Sequence, residues 1–146
     1  MAEGKTGTAA AIHATPLTPA AYQPSGAHLL ADFYGVAPEL LCDAAAIERV
    51  LRQSAQAAGA EIVFAHFHSF GAGHGVTGVL LLAESHISIH TWPENSFAAA
   101  DIFMCGKAEP QRALTLMQQA WQPASCNVQL IARGGNADDN PTGQAE

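Results

Sequence analysis

The amino-acid sequence predicts an α/β (α+β) two-layer sandwich: an antiparallel β-sheet with two helices on one face, in the order β-α-β-β-β-α-β. Two observations carry this expectation. Only two stretches, roughly 39–58 and 109–122, repeat apolar residues at helical spacing between start and stop signals. The links between the central strand-like runs are too short for the crossover that parallel neighbours need, so those runs must fold back on one another.

Residues 1 to about 25 are rich in Ala, Thr, Gly and Pro without any period, and are expected to be a disordered leader. The domain is expected over 26–134. Ala27 to Tyr34 reads as its first strand, ended by Gly35. Pro38 and Asp43 are start signals for the first helix, with Ile47, Val50, Leu51 and Ala58 on its buried stripe and Gly59 as its stop. Glu61 to Phe70 is rich in β-branched and aromatic residues and reads as a strand, followed by the glycine-laden loop Gly71 to Gly75.

Val76 to Ala83 is almost wholly apolar and is expected to be a central strand. His86 to Thr91 alternates, with His86, Ser88 and His90 on one face and Ile87 and Ile89 on the other. Pro93 ends it, and Phe97 to Met104 makes another strand. Glu109-Pro110 opens the second helix, whose buried stripe is Leu114, Met117 and Trp121, and Pro123 stops it. Cys126 to Arg133 is the last strand, and 135–146 is a polar tail expected to be disordered.

At 146 residues the chain is long enough for one modest core, and 49% hydrophobic with 13% charged residues is a folded composition. A formal charge of -7 argues against a nucleic-acid partner, which calls for a basic face. No apolar run approaches the ~20 residues of a membrane span. Three widely spaced cysteines (Cys42, Cys105 and Cys126) form no CxxC pair, which points away from a disulfide framework or thiolate zinc site and towards a reducing, cytoplasmic setting.

Chemistry-bearing residues crowd into Glu84-Ser85-His86-Ile87-Ser88-Ile89-His90-Thr91-Trp92-Pro93-Glu94 and Asp101 to Gly106. Ser85 can be a strand-end serine bonding to backbone. It lacks the GxSxG elbow of a hydrolase. A third use of such a serine is chain scission, in which its hydroxyl attacks the preceding carbonyl and elimination leaves a new N-terminus. That use needs a strained bond, a donor to the carbonyl and a base. His66, His68, His86 and His90 have spacings that could serve a zinc or iron site, but no carboxylate completes an ordered ligand set, and no metal is expected. Cys105 is either a small buried hydrophobe or a reactive thiol. Asp101 reads as a solvent-facing or strand-paired acid, and Glu94 as a turn acid or an acceptor for ligand hydroxyls.

Gly75-Val76-Thr77-Gly78-Val79, then Ala83 to Glu94, then Asp101-Ile102-Phe103-Met104-Cys105-Gly106, together resemble the core of the small prokaryotic S-adenosylmethionine decarboxylase proenzymes. The first strand, Leu29 to Tyr34 with Gly35, resembles theirs too, so the likeness covers about 26 to 134. The resemblance implies self-cleavage between Glu84 and Ser85 into a β chain (1–84) and an α chain (85–146), the latter headed by a pyruvoyl group made from Ser85. That group is the cofactor and forms a Schiff base with the substrate. The resemblance further implies that His90 is the processing base and that Thr77 is the hydroxyl polarising the Glu84 carbonyl. Cys105 is implied as proton donor to the substrate carbon, Phe70 and His90 as the two sides of an adenine sandwich, and Glu94 as the ribose acceptor. A homodimer of αβ units with active sites near its contact is implied as well.

Two departures stand out. Thr77 occupies a position where many relatives carry serine, which keeps the hydroxyl. Phe70-Gly71-Ala72-Gly73-His74-Gly75 replaces a Pro-Gln-Gly type of loop and is one residue longer. The expected activity is S-adenosylmethionine decarboxylation for spermidine synthesis. The altered loop motivates an alternative, the same pyruvoyl chemistry on L-arginine or L-ornithine. A third reading is an unprocessed, non-catalytic or metal-binding relative.

Overall fold

The structure, a computed structural model, describes residues 24–135. The expected leader over 1–23 and tail over 136–146 lie outside the described residues. Strand β1 (Ser25–Tyr34) leads through a short 3-10 turn (Pro38–Leu40) to helix α1 (Ala44–Ala57). Four strands follow: β2 (Ile62–Ser69), β3 (Val76–Leu82), β4 (Ser85–Trp92) and β5 (Phe97–Cys105). A second 3-10 turn, Pro93–Asn95, separates the last two, and helix α2 (Pro110–Trp121) and strand β6 (Ser125–Gly134) complete the chain.

The order is therefore β-α-β-β-β-β-α-β; all four strands expected between the helices, over 61–70, 76–83, 86–91 and 97–104, are present, one more than the expected scheme β-α-β-β-β-α-β counts. The link Ala83-Glu84 is the tightest of their connections. Leu82 pairs directly with Ser85, so two residues turn the chain and leave 76–82 and 85–92 as separate hairpin arms. All pairings are antiparallel, in the sheet order β2-β3-β4-β5-β1-β6. Strand β1 lies between β5 and β6 because α1 carries the chain from β1 to the far edge at β2, and α2 carries it from β5 past β1 to the other edge at β6.

Both helices cover one face of the sheet. Asp43 caps α1 by accepting the Ala46 N–H at 3.0 Å, and Gly59, at φ +81°, follows its end. The first helix thus starts at Asp43 and not at Pro38, which opens the separate 3-10 turn. Pro110 begins α2, and Gln122 ends it in a left-handed conformation before Pro123 is reached. Ile47, Leu51 and Ala55 of α1, and Ala113, Met117 and Trp121 of α2, bury against Leu29, Phe33, Leu80, Ile87, Ile89, Ile102 and Met104 of the sheet. Each such large aliphatic side chain contributes about 1.5–3 kcal/mol on burial. Trp121 meets Phe33 edge to face with ring centroids 5.2 Å apart.

The opposite face has no covering layer among the described residues. Strand β3 consequently alternates: Val76, Gly78, Leu80 and Leu82 are buried, while Leu81 points to the open face and is 46% exposed. Its apolar run pointed to a central strand, which it is, but only one of its faces is covered among the described residues. Tyr34, Phe97 and Trp92 stack in a row across β1, β5 and β4 on this open side.

Candidate active site

The open face carries two chemically distinct ends, and strand β4 runs between them. At its first end lies the β3–β4 hairpin. Glu84 has φ +58°, a left-handed conformation that costs a residue with a Cβ roughly 1–2 kcal/mol and for which glycine is the usual choice. The next residue is Ser85. The β4–β5 ladder stops at His86 opposite Phe103, and beyond it the Cys105 N–H donates to the Ser85 Oγ at 3.1 Å. Serine hydroxyl, strained preceding peptide and cysteine are thus in one place. Ser85 is the unmodified precursor here, so its Oγ marks the attacking atom of the scission expected at this bond.

Around this end, His86 faces His28 with centroids 5.8 Å apart, and both rings pack on Phe103. Arg133 donates to the His28 Nδ1 at 3.0 Å. A guanidinium can only donate, so the His28 proton sits on Nε2, a buried atom with no hydrogen-bond partner among the described residues. Burial holds the His86 imidazole below its ordinary pKa. His28 and Arg133 push it the same way, while Asp101 opposes them.

At the other end of β4, Thr77 Oγ1 and His90 Nδ1 lie 3.0 Å apart, as their cross-strand pairing dictates. They line a cleft of about 350 Å³ together with Phe70, His74, Gly75, Trp92 and Glu94. Thr91, only 5% exposed, builds its floor. Its hydroxyl accepts the Val76 N–H at 2.8 Å and donates to the Leu41 carbonyl at 2.6 Å, tying three segments together. Gly75 packs so tightly on the Thr91 carbonyl that no Cβ fits there. The loop bearing Phe70 and His74 is closed on itself by the Phe70 N–H donating to the Gly75 carbonyl at 3.1 Å. Glu94 enters the cleft from the 3-10 turn after the buried Pro93.

The structure therefore joins Ser85 with Cys105, and Thr77 with His90, Phe70 and Glu94, but it does not join the two groups. Ser85 and His90 are five residues apart on one extended strand, about 16 Å at the usual rise. Thr77 and His90, expected beside the Glu84–Ser85 bond, do not reach it within one chain. The four histidines weighed as metal ligands are dispersed as well. His66 and His68 stand on β2, two strands from His86 and His90, and no group of three or more His, Cys, Asp or Glu among the described residues is placed to hold a metal. Asp101 is within 3.4 Å of the Ser88 hydroxyl, in keeping with a strand-paired acid.

Four residues entered the site without having been singled out; His28, inside the first strand, carried no local signal. Thr91 carried a signal, a hydroxyl in phase with the buried Ile87 and Ile89. His74 lay inside the departing loop. Arg133 carried none, because its place depends on β6 pairing with β1.

A serine in a hairpin, strained at the residue before it and backed by a cysteine, suits the self-cleaving chain that the family likeness implies, one that makes its own prosthetic group. The sequence model for S-adenosylmethionine decarboxylase matches residues 27–134. An S-adenosylmethionine decarboxylase proenzyme from Hydrogenobaculum is 41% identical over 110 residues, covering 75% of this chain and 81% of that one. One from Thermotoga maritima is 38% identical over 122 residues, covering 80% and 93%. The crystal structure of the adenosylmethionine decarboxylase from Aquifex aeolicus matches with a TM-score of 0.71 at 34% identity, covering 80% of this chain and 97% of that chain. This chain belongs to the S-adenosylmethionine decarboxylase family.

Proposed function

We propose that the chain cuts itself between Glu84 and Ser85 and, in its pyruvoyl form, decarboxylates S-adenosylmethionine to supply aminopropyl groups for spermidine. The observation that carries the processing step is Ser85 in hydrogen-bond contact with Cys105 directly after the left-handed Glu84. The Ser85 Oγ attacks the Glu84 carbonyl carbon, and the C–N bond gives way to an ester. The Cys105 N–H, already aimed at that oxygen, favours the charge it gains on losing its proton. Removal of the Ser85 Cα proton then expels the Glu84 carboxylate, and hydrolysis of the remaining enamine releases ammonia and leaves the pyruvoyl terminus.

The residues at this end fit such a group. Ser85 supplies its atoms, and Cys105 stands beside it to hand a proton to the substrate carbon. The pyruvoyl group supplies an electron sink for the breaking carbon–carbon bond, the service that pyridoxal phosphate gives elsewhere. The nucleoside belongs in the larger cleft: Phe70 and His90 offer ring faces for adenine, and Glu94 offers a carboxylate for the ribose hydroxyls. Such aromatic walls favour the adenosyl substrate over free L-arginine or L-ornithine, which have no base to stack.

A second copy of the chain completes the site. The open sheet face, with Leu81 and Trp92 46% and 40% exposed, packs on its mate about a two-fold axis, so that Thr77, His90, Phe70 and Glu94 of each protomer meet Ser85 and Cys105 of the other. Thr77 and His90, which do not reach the Ser85 end of their own chain, are then provided in trans. No helix among the described residues is long and apolar enough to cross a membrane. All three cysteines are unpaired, in keeping with a cytoplasmic enzyme.

Intact mass of the purified protein, with carbon dioxide release from S-adenosylmethionine, L-arginine and L-ornithine, tests this reading. Two fragments divided after Glu84 and release from S-adenosylmethionine are expected. An uncut chain, or release from either amino acid alone, rejects it.

A further inference from the structure

At the Ser85 end, Gly26 on β1 pairs with Cys105 on β5 and with Arg133 on β6, so one row across the sheet reads Cys105–Gly26–Arg133. The middle position has no side chain. A Cβ there would lie 2.9 Å from the Cys105 Sγ and 3.0 Å from the Phe103 ring. The gap is a cavity of about 160 Å³ bounded by the thiol, Phe103 and the guanidinium. At the usual strand spacing the Cys105 and Arg133 backbones stand about 10 Å apart across it, room for one small polar group between them.

Arg133 is the only Lys or Arg borne by the sheet among the described residues. Arg49, Arg52 and Arg112 are on the helices, and Lys107 is in a turn. Two neighbours fix its position, and neither neutralises it: His28 accepts one N–H through its unprotonated Nδ1, and the guanidinium carbon lies 5.3 Å from the Phe103 ring centroid. A guanidinium has five N–H donors, and those left over suit a carboxylate, to which it binds through paired hydrogen bonds.

We propose that Arg133 is the receptor for the α-carboxylate of the substrate's amino-acid end, with Gly26 keeping the notch between it and Cys105 open. The assignment rests on the decarboxylase reading but not on the adenosyl group, since every α-amino acid substrate presents the same carboxylate. Cys105 and Arg133 then flank the substrate Cα from two sides, the thiol to protonate it and the guanidinium to orient the group that departs. The contact exists before the bond breaks and is not strengthened as neutral carbon dioxide forms, so it acts on substrate binding more than on turnover.

The test compares Arg133→Gln and Arg133→Lys with the wild type as processed enzymes, scission being checked by intact mass. Calorimetry measures two probes, S-adenosylhomocysteine, which has the carboxylate, and 5′-methylthioadenosine, which lacks the whole amino-acid end. Arg133→Gln should weaken the first about 10- to 100-fold, the range for a lost charge-assisted pair, and leave the second within about 2-fold. Arg133→Lys should recover part of the loss, and KM for decarboxylation should rise more than kcat falls. Equal weakening of both probes, or no change in either, overturns the assignment. Wild-type protein that binds neither probe rejects the adenosyl reading instead. L-arginine against agmatine, which differ by that carboxylate, then decides Arg133 by the same ratio.

Discussion

Thr77 Oγ1 and His90 Nδ1 stand 3.0 Å apart at the end of β4 remote from Ser85. A hydroxyl and an imidazole paired in this way can relay a proton, yet the bond proposed for cleavage is about 16 Å off along the strand. Complementation between two chains tests the shared site this implies. Cys105→Ala and Glu94→Ala are each expected to be inactive alone. Mixed during co-expression, they should return roughly a quarter of wild-type activity, because half of the dimers are mixed and each mixed dimer has one intact site. A mixture as inactive as its parents places both groups in one chain and rejects the shared site.

Glu84 stores strain next to the Ser85 attack point. Glu84→Gly releases it, since glycine adopts the left-handed conformation without penalty. Scission should slow by about fivefold, the equivalent of roughly 1 kcal/mol. The appearance of the two fragments over time measures this, and an unchanged rate would show that the backbone conformation does not drive the cut.

Thr91 holds β3, β4 and the segment at Leu41 together through one hydroxyl. Thr91→Val keeps the shape and leaves the Val76 N–H and the Leu41 carbonyl without it, a loss of about 1–3 kcal/mol in thermal or denaturant unfolding. Affinity for 5′-methylthioadenosine should fall as well, because the Phe70–His74 loop rests on this strand. Thr91→Ser should restore most of both. Valine at wild-type stability would mean that water replaces the hydroxyl's bonds.

His86 gives the fold a pH dependence with a definite sign. Its folded pKa is depressed, chiefly by burial, so the unfolded chain takes up the proton more readily. The stability that neutral His86 contributes is complete above its unfolded value, about 6.5, and drains away as the pH falls from there through the folded value. Thermal unfolding of uncleaved Ser85→Ala protein should show a drop in Tm from about pH 7.5 to 5.5 that is smaller when His86→Asn is added. Equal drops in the two proteins would assign the acid sensitivity to other groups.

Much of the architecture was legible because period-two alternation and helix signals are local properties. Ile87 and Ile89 fell on the buried face, and Asp43 and Gly59 bracketed α1, as spacing and capping chemistry require. The Ser85–Cys105 contact was foreseen only through family likeness. Twenty residues separate the two, and a register no local pattern encodes brings them together. The same holds for the Cys105–Gly26–Arg133 row, whose members come from β5, β1 and β6. The division of the site between the two ends of β4 was not legible because the roles of Thr77 and His90 came from the resemblance alone, and an extended strand turns five residues into a long separation.

The Ala83-Glu84 hairpin has a consequence for the history of each molecule. It is the covalent tie between β3 and β4, and the cut proposed after Glu84 would turn neighbouring strands of one sheet into parts of two chains. On that proposal the sheet is already assembled when the cut is made, since the left-handed Glu84 and the Ser85–Cys105 contact belong to the folded precursor. Afterwards the native arrangement survives through its hydrogen bonds and core, and reassembly from denatured material becomes an encounter between two solutes, without the advantage of a short loop. A protein cut at the proposed bond therefore holds its shape as an inheritance: once unfolded and dispersed, it should return slowly and in a concentration-dependent way, with a working lifetime set by the rate of unfolding.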